Sequence, residues 1–190
     1  MIARLFRRGG GRAEVIRALH GRVIAAARVP ALYTELGVPD TIEGRFEALC
    51  LHALLVLRRL RQLPAPAPDV AQELVDSVFR QLDASLRELG IGDFGVPKRM
   101  KKLAQSFYGR AAAYDPGLDA ADAAALAGPL ARNVMAVDDP AAAAGLAAYV
   151  VAAERALAGQ DLDALLGEGP RLPDPATFAQ ATEPVTGAVP

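Results

Sequence analysis

Few side chains in this 190-residue chain are equipped for chemistry. Its single cysteine, Cys50, sits in the apolar run Leu49-Cys50-Leu51, two residues from His52. A catalytic thiol needs a base within hydrogen-bond reach, and residues two apart on a helix point to different sides. Cys50 therefore reads as a buried small hydrophobe. His20, Cys50 and His52 are the soft metal ligands present, and they form no recognised ligand pair. Asp138-Asp139 reads as a helix start, and Glu43 and Glu47 as solvated carboxylates beside Arg45. Gly90-Ile91-Gly92-Asp93-Phe94-Gly95 spells the dinucleotide fingerprint, whose mechanism demands a strand before it and a helix after it. A helical pattern precedes it here, so it reads as a C-cap glycine and a tight interhelical loop with Phe94 at the tip. No Gly-x-Ser-x-Gly is present. The strongest polar feature is a cationic run, Lys98-Arg99-Met100-Lys101-Lys102, followed by Tyr108 and Arg110. Nucleic acid, anionic lipid, an acidic protein surface or plain solvent would each suit it.

The elements that must carry these residues are helices. Val15, Ile16, Leu19, Val23 and Ala26 recur at helical spacing over Arg12–Arg28, until Pro30 intervenes. Asp40-Thr41-Ile42-Glu43 has the form of a capping box, with Asp40 as the cap. The helix it opens runs to about Gln62 and is apolar nearly all round, which suits the centre of a bundle or a face offered to a partner. Pro64-Ala65-Pro66-Ala67-Pro68 reads as a stiff linker, and Asp69 as the cap of a helix to Leu89. The next helix starts at Pro97. Its Val96, Met100, Leu103 and Phe107 fall on one stripe, with Lys98, Lys101 and Lys102 opposite. Asp115-Pro116-Gly117 spells a turn. Two alanine-rich helices follow, about 119–137 and 141–158, the first kinked or split at Pro129 and the second started by Pro140. A last turn covers 161–166.

No run of strand-like alternation appears, so the expected fold is all-α, a single-domain bundle of about six to seven helices. The expected organisation is a flexible basic N-terminus over 1–11, a helical domain over 12–166 and a disordered Pro-rich tail over 167–190. With 52% hydrophobic residues the chain can bury a substantial core. No apolar run approaches the roughly 20 residues of a bilayer span, and the N-terminus lacks a secretory h-region. Net charge is −1, unevenly spread: residues 1–110 carry 18 Lys and Arg against 11 Asp and Glu, and residues 111–190 carry 3 against 11. The N-terminal part thus faces acidic partners or an anionic surface. Overall acidity argues against a dedicated DNA binder. Catalysis has no positive signal. A helical RNA- or ribosome-binding module using the basic helix 96–110 is the alternative that the charge pattern leaves open.

Three blocks carry a resemblance. The first is Tyr33-Thr34-Glu35-Leu36-Gly37-Val38-Pro39-Asp40-Thr41, continuing through Gly44-Arg45-Phe46-Glu47 to Leu51-His52 and Arg58-Arg59-Leu60. The second is Asp83-Ala84-Ser85-Leu86-Arg87-Glu88-Leu89-Gly90-Ile91-Gly92-Asp93, and the third Val96-Pro97-Lys98-Arg99-Met100-Lys101-Lys102, ending Phe107-Tyr108-Gly109-Arg110. In order and spacing they resemble the ubiquinol–cytochrome c chaperone family. That resemblance implies an all-α, non-enzymatic assembly factor of ubiquinol–cytochrome c reductase without cofactor or metal. It implies newly made cytochrome b as client, with a second small assembly factor, the ribosome or an anionic membrane surface as further contacts. The chain looks like a bacterial member, acting in the cytoplasm at the inner face of the membrane. The contact residues expected are Phe94, Lys98, Arg99, Lys101, Lys102, Tyr108 and Arg110, with Arg45, Asp83, Arg87 and Asp93 as additional ones. The central helix 41–62 is expected to supply apolar surface beside this basic helix.

Overall fold

The computed structural model describes residues 9–88 and 95–179. Its α-helices are α1 (Gly9–Ala26), α2 (Ala31–Thr34), α3 (Ile42–Gln62), α4 (Ala67–Glu88), α5 (Val96–Asp119), α6 (Ala123–Leu130), α7 (Ala144–Ala158) and α8 (Leu162–Gly167). A wide turn, Ala131–Met135, and a tight one, Pro140–Ala143, join α6 to α7, and a final tight turn covers Pro175–Phe178. No strand occurs among the described residues, as the sequence pattern requires.

Helix α3 is the axis of the bundle. Thr41, not Asp40, caps it: the Thr41 hydroxyl accepts from Gly44 N at 3.0 Å. Asp40 instead turns outward to the Arg45 guanidinium at 2.6 Å. Gly44 has no freedom to change, because a Cβ there would lie 2.0 Å from the Pro39 carbonyl oxygen. From Cys50 to Leu57 every side chain is buried, against α1 and α4 on one side and α7 on the other. The all-round apolar pattern therefore marks the core, and α3 does not offer a partner the apolar face expected of it. Helix α4 starts at Ala67, two residues before Asp69, and buries Val70, Leu74 and Val78 while Gln72, Asp76 and Arg80 meet solvent.

The expected turn at Asp115-Pro116-Gly117 is helical: α5 continues through Pro116 to Asp119. Proline removes one ladder donor there. Two tertiary anchors hold the turn in place. Asp115 and Asp119 both reach Arg58 of α3. Gly117 packs so closely on α6 that a Cβ would sit 2.6 Å from Leu126 Cγ. Beyond it the Asp122 side chain caps α6, accepting from Ala124 N and Ala125 N at 2.8 and 3.2 Å. Pro129 lies inside α6, and two residues later the helix widens over Ala131–Met135 before ending at Ala136 with φ 58°.

By length and composition Pro140–Ala158 would suffice to cross a membrane, with mean hydropathy 1.4, so the expectation of no such stretch needs that amendment. Alanine makes the stretch apolar, but packing uses it as a core helix. Leu146, Ala147, Tyr149, Val150, Ala153 and Leu157 are buried against the bundle, and Glu154 pairs with Arg58. Residues 168–179, which sequence composition assigns to a disordered tail, are seated on the domain. Pro175 is buried, and Phe178 stands edge-on to Tyr149 at 5.8 Å. The Gln160 side chain clasps this strap, donating to Arg171 O at 2.8 Å and accepting from Arg171 N at 2.9 Å.

Candidate functional site

Helix α5 carries the cationic run, and its inward stripe explains how. Val96 and Phe107 are buried, and Met100 and Leu103 half-buried. Phe107 meets Phe79 of α4 edge-on at 5.7 Å. This seam fixes the helix about its axis. At 100° per residue, Lys98, Lys101, Lys102, Gln105 and Tyr108 then share an outward arc of about 120°. All four cations of the run, Lys98, Arg99, Lys101 and Lys102, are exposed, and among the described residues they form no ion pair. Tyr108 is 52% exposed, its ring standing edge-on to Phe107.

Arg110 does not join that surface. Its guanidinium forms a fork–fork pair with Glu47 of α3 and donates to Ser106 O at 3.1 Å. Glu47 is 8% exposed, so it is not the solvated carboxylate its neighbours suggested. Burial lifts its carboxyl above the usual carboxylate range, and Arg110 offsets part of that rise. Five residues further along α5 the charges are again spoken for. Arg58 donates to Glu154 of α7 at 2.8 Å, to Asp115 at 2.9 Å and to Asp119. Between these two clusters α3 and α5 enclose a cleft of about 120 Å³ lined by Leu51, Leu54, Leu55, Arg61, Ala111 and Tyr114, among others.

The additional residues are placed as local pairs. Arg45 holds Asp40 and depresses its carboxyl through that hydrogen bond, and Arg87 reaches Asp83 at 2.8 Å, one turn back on α4. Asp93 and Phe94 lie outside the described residues, as do Gly90–Gly92 of the glycine-rich run.

Cys50, His52 and His20 are core residues. Burial, with Glu47 nearby, raises the Cys50 thiol far above its ordinary value, so it holds no thiolate at neutral pH. His52 is 1% exposed. Its Nδ1–H donates to Ala48 O at 2.7 Å, since a carbonyl can only accept, and its Nε2 accepts from the Tyr149 hydroxyl at 2.8 Å. Burial pushes its pKa down to about 4. His20 pairs with Ser77 through Nδ1 at 2.9 Å and is likewise shifted down, by burial and then by Arg80. Among the described residues no three His, Cys, Asp or Glu side chains converge as a metal cage.

Sequence reasoning missed the Arg58 hub, the Glu47–Arg110 pair and the Gln160 clasp. One signal was available for the first two. Glu47 and Arg58 interrupt the apolar circumference of a central helix, where a charge must find a partner.

Comparison with known proteins follows the same outline. A family model described as ubiquinol-cytochrome C chaperone matches residues 34–172. A solved structure, the crystal structure of the Cbp3 homolog from Brucella abortus, superposes with a TM-score of 0.80 at 42% identity, covering 92% of this chain and 98% of that one. No curated protein matches significantly.

Proposed function

This chain belongs to the ubiquinol–cytochrome c chaperone family, an assembly chaperone of ubiquinol–cytochrome c reductase, and from that premise we propose that it holds newly made cytochrome b until that subunit joins its partners. The work is non-enzymatic: the protein lowers the chance that an exposed membrane segment associates wrongly, and it releases its client unchanged. It acts from the cytoplasmic face of the membrane. The outward face of α5, Lys98, Arg99, Lys101, Lys102 and Tyr108, is the contact surface we assign to this work, whether it meets the client or a partner immediately around it.

The observation that carries the surface assignment is the contrast in charge pairing. Arg58 and Arg110, which lie between helices, find carboxylates. The cations of the α5 run are left without them among the described residues. The RNA-module alternative draws on the same charges, but nothing beyond charge favours it. Tyr108 is the one exposed aromatic in the arc, too few for successive base stacking.

The test is in cells. A photo-crosslinking residue at Lys102 or Tyr108 should capture newly made cytochrome b or the material immediately around it. Tagged protein should co-purify cytochrome b, and loss of the chaperone should lower assembled reductase. Undiminished reductase together with no cytochrome b in the purified fraction would refute the proposal.

A further inference from the structure

The four cations in the first two turns of α5 make no ion pair among the described residues. Lys98 and Arg99 stand in its first turn, where the helix dipole is positive and favours carboxylates. No acidic side chain is found in that turn. Their mutual repulsion and the dipole both act against them, so an outside anion must offset this if the surface is used at all. Three features describe that anion. Three of the four are lysines, compact point charges on flexible stems, suited to a diffuse field rather than to a fixed bidentate carboxylate or phosphate. They lie on a convex helix face rather than in a groove, so they meet a plane and not a threaded strand. Tyr108 follows on the same arc, half-exposed with its ring propped on Phe107, as an aromatic at a membrane–water interface stands.

The client fits poorly as that anion. Cytoplasmic loops of multi-span membrane proteins carry excess Lys and Arg, and would repel this face. The bilayer around the client is negative on that side. We propose that Lys98, Arg99, Lys101 and Lys102 rest on anionic phospholipid headgroups, holding α5 against the membrane while other surfaces meet the client. This inference rests on the chaperone reading above, but its test uses purified protein with no client.

The full chain is mixed with phosphatidylcholine vesicles with and without phosphatidylglycerol, and the floated fraction measured at low and high salt. Binding is expected only with phosphatidylglycerol, and should fall as salt rises. Each lysine contributes about fivefold in affinity, so K98Q/K101Q/K102Q should bind about a hundredfold more weakly. K98E/K101E/K102E should not float at all. Both variants should keep the wild-type melting temperature. No flotation of the wild type, equal flotation with neutral vesicles, or unchanged flotation of the triple variants overturns the proposal. So does salt-sensitive capture of single-stranded RNA by protein that ignores the vesicles. If vesicles are ignored while K98E/K101E/K102E loses cytochrome b in cells, the face belongs to the client, and the chaperone reading survives without the lipid contact.

Discussion

The two halves of α5 carry charge in opposite ways. In the second half Arg110, Asp115 and Asp119 are all held by α3, through Glu47 and Arg58. In the first half Lys98, Arg99, Lys101 and Lys102 are paired with nothing among the described residues, although α4 packs along the opposite side of the same turns. One continuous helix is thus a structural strut at one end and an exposed, unpaired cationic face at the other, among the described residues. Position along the axis separates the two uses, and burial enforces the difference. A charge under a neighbouring helix must be matched, whereas one in water need not be.

Breaking the strut should cost most. Arg110→Ala leaves Glu47 buried without its guanidinium, and should destabilise the fold by about 3 kcal/mol, a drop on the order of 10 °C in Tm. Adding Glu47→Gln in the same chain should recover part of it. If Arg110→Ala melts like the wild type, the two halves do not differ as described.

Acid sharpens the comparison, because it reaches the interior and not the lysines. Above pH 6.5 His52 is neutral whether folded or not. Between 6.5 and about 4 the unfolded chain takes up a proton that the buried ring refuses. Stability therefore falls as pH falls through that window, by up to about 3 kcal/mol, and His20 adds in the same direction. Urea unfolding at stepped pH measures it. A His52→Gln variant should lose much of the slope, and an unchanged slope would place acid sensitivity elsewhere.

The smallest effect is the most informative. K98E/K101E/K102E should shift stability by less than about 1 kcal/mol, and upward if at all, since carboxylates suit a helix N-terminus. A large loss by thermal melting would mean the first half of α5 is also structural.

Much of this was legible in the sequence. Pro30, Pro64 and Pro140 punctuate the helices where they read, because proline chemistry is local. The stripe of Val96, Met100, Leu103 and Phe107 placed the lysines correctly, because a 3.6-residue period needs no partner to be read. What failed was long-range. Asp115-Pro116-Gly117 spells a turn, and Arg58, 57 residues away, together with the seat of Gly117 on Leu126, shows why it stays helical. Arg110 was grouped with the lysines because periodicity tells inward from outward but not which carboxylate waits inside. The strap after Gly167 looked too polar and proline-rich to pack, yet its seat depends on Gln160 and Tyr149, whose sequence context says nothing of it.

That strap has a consequence for how the protein is made. Pro175–Phe178 packs beside α2, the four residues Ala31–Thr34, and α8 packs beside α1. The early helices thus wait for neighbours some 140 residues downstream, which at ordinary synthesis rates takes about 7–30 s. Until then the faces of α1 and α2 that meet α8 and the Pro175–Phe178 turn stay uncovered. An assembly chaperone thus passes through such an exposure itself, and its own closure depends on nearly the last of the described residues to be translated.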